Sequence, residues 1–269
     1  MEKMETQQKV KVMQVNSYSG VSPEKISQLV AKAKVLRKGV IDVVAKRGEG
    51  HIGGAFSIME MIIAIYDLFL KKEDKFILSK GHAFIPQYLL LKERGLNPKL
   101  SGHPEIDRQN GVECTTGSLG HGLPIGLGMA FAKKIKKEPG TVYVIISDGE
   151  CQEGTIWESF LLAAHHKLDN LKILIDKNNL ITLGKVSEIL SIDNLAEKCK
   201  AFNCAVTEIN GHSYPEIIKA LQTQTPGKPH VIIADTIKGK GVSFMENHSG
   251  WHTMVPNAEE IKKAYEELA

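Results

Sequence analysis

The sequence predicts a three-layer α/β/α domain built on a mostly parallel sheet. Two apolar runs carry this expectation. Residues 141–146 and 171–176 are continuous, rich in β-branched side chains, and end in the turn signals Ser147-Asp148-Gly149 and Lys177-Asn178-Asn179. Runs of this kind suit parallel strands buried on both faces. A helical pattern reaching about Lys167 separates them, as a βαβ crossover requires. The third observation is that helix and strand patterns continue on both sides without a linker, an internal repeat or a low-complexity tract. One continuous domain over residues 21–269 is therefore expected.

Composition narrows the class. A chain of 269 residues can bury a full core, and a net charge of +3 is too small to argue for nucleic acid or a membrane surface. No apolar run reaches the ~18 residues of a membrane span. Residues 1–20 are polar and lack the apolar core of a signal peptide, so a flexible arm is expected there. Cys114, Cys151, Cys199 and Cys204 show no paired or zinc-binding spacing. They read as reduced thiols of a cytoplasmic protein.

Taken in order, Ser22-Pro23-Glu24 opens the first helix with a capping hydroxyl, a proline at the first position and an acid in the first turn. Ile26, Leu29, Val30, Ala33, Leu36, Val40, Ile41 and Val44 keep helical spacing, and Lys46-Arg47-Gly48 ends it. The small residues of Gly50-His51-Ile52-Gly53-Gly54-Ala55-Phe56-Ser57 allow close backbone approach to a ligand. Ser57 is placed to cap an apolar helix over 58–70. A short buried strand over 75–78 follows. Ser79-Lys80-Gly81-His82-Ala83 then opens a helix to about Arg94, whose glycine-preceded start suits an anion. Leu100-Ser101-Gly102-His103-Pro104-Glu105 is a loop. The glycine-rich segment 115–124 holds Gly117, Leu119 and His121 ahead of a helix over 125–137.

Beyond Gly184 the pattern gives a helix over 192–202, a strand over 205–209, a helix over 214–222, a strand over 231–236 and a last helix over 258–268. Ile237-Lys238-Gly239-Lys240-Gly241 leaves the last strand, and lysines among glycines suit a phosphate. A solvated basic turn would read the same. His165, His166, His212 and His230 fit no pattern and are expected on helix faces or in loops.

Asp148 and Asn178 each follow a strand, with one helix between them. The crossover brings a carboxylate and an amide oxygen to the sheet edge where open α/β sheets hold ligands. Hard oxygens suit Mg²⁺, and one carboxylate suffices where a ligand's phosphates supply the rest. The pair points to a Mg²⁺–diphosphate site. An ordinary βαβ unit with polar strand ends would show the same two residues; Gln152-Glu153-Gly154 between them, taken with the strings described next, favours the site.

Asp148-Gly149, then 28 residues, then Asn178-Asn179 resembles the thiamine-diphosphate fingerprint, with Ser147 in place of its first glycine. Gly50-His51-Ile52-Gly53-Gly54, Ser79-Lys80-Gly81-His82-Ala83, Gly102-His103-Pro104, Gly117-Ser118-Leu119-Gly120 and Trp251-His252 are similar to strings of the transketolase family, in family order. The resemblance covers nearly the whole chain, but only the diphosphate-binding half of a transketolase.

That resemblance implies thiamine diphosphate and Mg²⁺ as cofactors. It implies cofactor contacts from His82, Gly117, Leu119, Asp148, Gly149, Glu150, Asn178, Lys238 and His252, and a metal set of Asp148, Asn178 and Leu180. His51 and His252 are implied to handle substrate protons, and His103 to contact the sugar donor. Glu153 matches a glutamate in a carboxylate network at the family's subunit interface. The ylid-forming glutamate and the arginines that grip the sugar phosphate belong to the family's other half. The chain thus resembles the N-terminal subunit of a split transketolase. The implied reaction moves a two-carbon ketol unit from a ketose phosphate to an aldose phosphate. The implied partner is a C-terminal subunit with the pyrimidine-binding domain, in a heterotetramer of two plus two chains. Two rival implications stand beside it. One is a subunit of another thiamine-diphosphate enzyme, of 2-oxoacid dehydrogenase or sugar-phosphate synthase type. The other is a non-catalytic cofactor-binding module.

Overall fold

Both apolar runs are central strands of one parallel sheet. The computed structural model describes residues 20–269, so the arm expected over 1–20 lies, but for Gly20, outside the described residues. The strands are β1 (Lys75–Leu78), β2 (Val142–Ser147), β3 (Leu171–Lys177), β4 (Leu180–Ile181), β5 (Gly184–Lys185), β6 (Ala205–Asn210) and β7 (His230–Asp235). The main sheet runs β1-β2-β3-β7-β6, every neighbour parallel. β4 and β5 form a small antiparallel hairpin.

The helices are α1 (Pro23–Arg47), α2 (Ile52–Ser57), α3 (Met59–Ala64), α4 (Ile85–Glu93), α5 (Gly122–Lys136), α6 (Gly154–His165), α7 (Val186–Ile189), α8 (Leu195–Ala201), α9 (Tyr214–Gln222) and α10 (Ala258–Glu267). The two-residue period of a strand feeds both layers. Along β2, Val142, Val144 and Ile146 enter a core shared with α5, α6 and α8. Tyr143 and Ile145 enter the opposite core, shared with α1 to α4 and α9. Both faces are therefore covered, as a parallel sheet needs.

Local signals hold at α1. Ser22 Oγ accepts from Lys25 N–H at 3.2 Å, and Gly48 closes the helix at φ 69°. They fail at the glycine string. The helix expected over 58–70 begins at Ile52 as α2, bends at Ile58, continues as α3 and ends in a π-turn over Ile65–Phe69. All of α2 is buried, and that burial overrides the poor helix propensity of Gly53 and Gly54. Ser57 caps nothing; its hydroxyl donates to Gly54 O and to Asp176. α5 likewise starts at Gly122 instead of Ile125, and α8 is shorter than the 192–202 pattern. His230 is neither on a helix face nor in a loop. It starts β7, fully buried, with Nε2 2.9 Å from Thr207 Oγ1 on β6.

Candidate active site

β2 and β3 run in register, Ser147 beside Asp176, so the residues that leave them meet above one sheet edge. Asp148 Oδ2 accepts from Asn179 N–H at 2.6 Å and Oδ1 from Gly149 N–H at 2.8 Å. The residue is 1% exposed. Burial, and then nearby Asp176, push its carboxyl up to about 7, against the two amides and Lys80. A carboxylate so desolvated gains from a cation. Asn178 Nδ2 donates to Asp176 Oδ2 at 2.9 Å, and its Oδ1 accepts from Leu180 N–H at 3.1 Å. The Leu180 carbonyl accepts from Lys238 Nζ at 3.4 Å. One carboxylate, one amide oxygen and one carbonyl thus sit at the same cavity, a donor set that fits Mg²⁺. Among the described residues no three His, Cys, Asp or Glu side chains gather as a metal cage. A metal here would draw further oxygens from a ligand such as a diphosphate.

Beneath these residues lies a cluster that sequence reasoning missed. Asp176 is fully buried and accepts from Ser57 Oγ at 2.7 Å, from Asn178 Nδ2, and from Lys80 Nζ and Thr236 Oγ1. Burial opposes its charge, but Lys80 and the hydroxyls of Thr236 and Ser57 win and hold its carboxyl below the usual carboxylate range. One carboxylate therefore ties α2 to the ends of β1, β3 and β7. A charged residue inside an apolar buried strand needs a partner. That rule could have flagged Asp176, and with it Lys80, which lies in a string read for its helix start and its histidine.

Four imidazoles stand over this floor. The His51 ring centroid lies 5.4 Å from His82, 6.0 Å from His103 and 5.1 Å from His252; His82 and His252 are 5.1 Å apart. Glycines make room for them. A Cβ at Gly54 would lie 3.2 Å from His82 Nε2, and at Gly117 (φ +142°) 2.9 Å from His103 Cδ2. Lys238 Nζ is 2.9 Å from His252 Nδ1. An ammonium only donates, so Nδ1 accepts and a neutral His252 carries its proton on Nε2. Burial, then Lys238, push His252 down to about 3. Burial and then His103 lower His51, and burial and then Lys80 lower His82 further. These three rings are neutral near pH 7. Burial and then Lys80 push Lys238 down to about 8, so it remains charged there.

A cavity of about 220 Å³ collects these groups. Every residue expected at the site lines it (His51, His82, His103, Gly117, Leu119, Asp148, Gly149, Asn178, Leu180, Lys238 and His252) except Glu150. The Glu150 carboxylate instead accepts from Ser147 N–H and Gly120 N–H, each at 3.0 Å, and from Ser79 Oγ. It clamps the Gly117–Leu119 loop to the ends of β1 and β2. Lys240 lies outside, paired with Glu246 at 3.2 Å. His121, His248 and Glu153 are exposed and do not line the cavity. A neighbouring cavity of about 350 Å³ shares His51, His82 and His103 and is bordered by Arg47 and Glu49. A larger one, about 470 Å³, lies between β5, α8 and β6 and contains none of the histidines.

A parallel sheet whose strand ends deliver a carboxylate, an amide, lysines and imidazoles to one cavity has the architecture of proteins that bind a phosphate-bearing cofactor at the strand ends. The chain belongs to a particular family of that class: residues 27–269 match the transketolase, thiamine diphosphate binding domain family. It is 36% identical over 267 residues to an apulose-4-phosphate transketolase subunit of Phocaeicola vulgatus, covering 91% of this chain and 95% of that protein. It is also 36% identical over 260 residues to the 6-deoxy-6-sulfo-D-fructose transketolase subunit SqwG of a Clostridium species, covering 88% and 94%. The solved transketolase of Campylobacter jejuni superposes with a TM-score of 0.81 at 32% identity, covering 90% of this chain but 43% of that one. The chain thus spans nearly all of the subunits it resembles and under half of the solved transketolase chain.

Proposed function

We propose that this chain is the N-terminal, cofactor-holding subunit of a two-chain transketolase. The reaction moves a two-carbon ketol unit from a ketose phosphate to an aldose phosphate. The observation that carries the reading is the cavity at the strand ends, where Asp148, two lysines and four imidazoles meet. Relatives that are themselves named as transketolase subunits, and that match over almost their whole length, support it.

Thiamine diphosphate, when bound, supplies the carbanion chemistry. Asp148, Asn178 and Leu180 would hold Mg²⁺ through their oxygens, and Lys238 and His82 would hold the diphosphate. Gly117, Leu119 and Gly149 would face the cofactor along the cavity wall. His252 offers a hydrogen-bond donor at Nε2 to a substrate oxygen, because Lys238 occupies Nδ1. His51, neutral and ringed by His82, His103 and His252, takes or returns a proton at a substrate hydroxyl. His103, shared with the outer cavity, meets the sugar on its way in.

The cavity of about 220 Å³ is smaller than the ~300–1,000 Å³ of a complete small-molecule site. Leu183 and Met254, within two residues of the cavity residues Thr182 and His252, are exposed. Both features suit a half-site that a second chain completes. That chain is the C-terminal subunit with the pyrimidine-binding domain, two copies of each forming a heterotetramer, with Glu153 in a carboxylate network at the contact. The domain covers residues 21–269. All four cysteines are free and buried, which suits a reducing cytoplasm. Among the described residues no helix is long and apolar enough to cross a membrane.

The experiment is co-purification to capture the partner, then an assay of the complex with a ketose phosphate and an aldose phosphate, run beside pyruvate. Two-carbon transfer is the expected result. Turnover of pyruvate without transfer would replace this reading by a 2-oxoacid enzyme.

A further inference from the structure

His212 fits no motif and does not line the cavity. It sits between β6 and α9 with 12% of its side chain exposed. Its Nδ1 lies 2.8 Å from Glu60 Oε2, and Ile237 N–H donates to its Nε2 at 2.9 Å. Those two contacts define the tautomer. Burial works against the Glu60 charge, but Arg37 and His212 hold its carboxyl down to about 2. An ionised carboxylate only accepts, so Nδ1 carries the proton. A main-chain N–H only donates, so Nε2 offers its lone pair. Arg37 in turn pins Glu60, Nη1 to Oε1 at 2.7 Å and Nη2 to Oε2 at 2.9 Å, and its Nη2 also donates to Phe56 O at 3.0 Å.

Ile237 opens the turn that brings Lys238 into the cavity. The turn has no helix or strand of its own. Gly239 N–H reaches Gly53 O at 3.1 Å, and Asn247 N–H reaches Lys238 O at 2.9 Å. Lys80 is neutralised by Asp176, whereas Lys238 ends on a neutral ring and a carbonyl. Lys238 is thus the lysine whose charge is available to an anion in the cavity, and its position depends on this turn.

We infer that His212 is a positioning residue for Lys238. The chain Arg37–Glu60–His212 fixes the main chain at Ile237 and so aims the Lys238 ammonium at the cavity. The anion that Lys238 then meets rests on the cofactor reading above; the positioning itself does not.

Two amide variants separate positioning from packing. His212→Asn keeps a donor near the Nδ1 position for Glu60 but has no acceptor reaching Ile237. His212→Gln carries its oxygen near the Nε2 position. The readouts, on the full chain, are hydrogen exchange at the amides of 237–239, affinity for thiamine diphosphate with Mg²⁺, and melting temperature. His212→Asn is expected to speed exchange at 237–239 and to weaken cofactor affinity about tenfold, the scale of one buried hydrogen bond. His212→Gln is expected to recover most of both, at a similar melting temperature. Unchanged exchange at Ile237 in His212→Asn overturns the inference, and so does Asn performing as well as Gln. If the unmodified chain binds no cofactor, the cofactor reading falls, and exchange at Ile237 alone decides the positioning.

Discussion

Asp148 is the one carboxylate proposed for Mg²⁺, and its raised pKa marks a group that lacks a counter-charge of its own. Asp148→Ala should therefore weaken metal and cofactor together, because both use the same oxygen cluster. Asn178→Ala should act in the same direction but less, since a neutral ligand is lost. Calorimetry of thiamine diphosphate with Mg²⁺ checks both, and unchanged affinity in Asp148→Ala would remove it from the metal site. His51→Ala should leave cofactor affinity near normal and slow turnover roughly 10²–10⁴-fold, the usual contribution of a general acid–base group. Collapse of affinity with normal turnover per bound cofactor would assign His51 to binding instead. At this scale the sequence was readable where a side chain lines the cavity. His51, His82 and His252 lie in strings with glycine or tryptophan beside them. Asp176 and His212 were not readable, because their work is done through hydrogen bonds to residues 119 and 152 positions away.

Elements were legible where burial leaves one solution. A short β-branched run such as Val142–Ser147, ended by a turn signal, suits a strand covered on both faces, and the structure buries it at every position. α2 was illegible because Gly53 and Gly54 argue locally against helix, and their reason for being helical is tertiary: His82, Lys80 and Lys238 pack against them. The joint between α1 and α3 carries a pH signature. Arg37 and His212 hold the Glu60 carboxyl down to about 2, against a usual 4.5. A depressed acid contributes stability that is complete above its unfolded pKa and is lost as pH falls through its folded one. The contribution, roughly 3 kcal/mol from the size of that shift, should be full above pH 4.5 and fade toward pH 2. Glu60→Gln should cost about 3–5 kcal/mol at pH 7, because Arg37 is left buried without its partner. Urea unfolding at pH 7, 4.5 and 3 should show the gap between parent and variant narrowing as pH falls. A gap independent of pH would mean that the ion pair is not what holds α1 to α3.

At the scale of the molecule, the sheet, both cores and the oxygen ligands proposed for the metal all lie within residues 20–269. The chain should therefore fold and hold a diphosphate on its own. The cavity proposed for that diphosphate is only about 220 Å³ and lies beside exposed apolar residues such as Leu183, so the rest of a thiamine cofactor would project beyond it. A glutamate facing the aminopyrimidine ring is the group expected to form the reactive carbanion, and the resemblance places it in the partner. Among the described residues no glutamate lines the cavity. The lone chain, given Mg²⁺ and thiamine diphosphate, is therefore expected to show no two-carbon transfer, and addition of the pyrimidine-domain subunit should restore it. The contact that does so should bury at least about 1,000 Å², the scale of a specific interface. The test is to purify this polypeptide free of any partner and assay transfer before and after the second subunit is added. Robust transfer by the single chain would mean that the catalytic acid lies among its own residues, and the two-chain reading would fall.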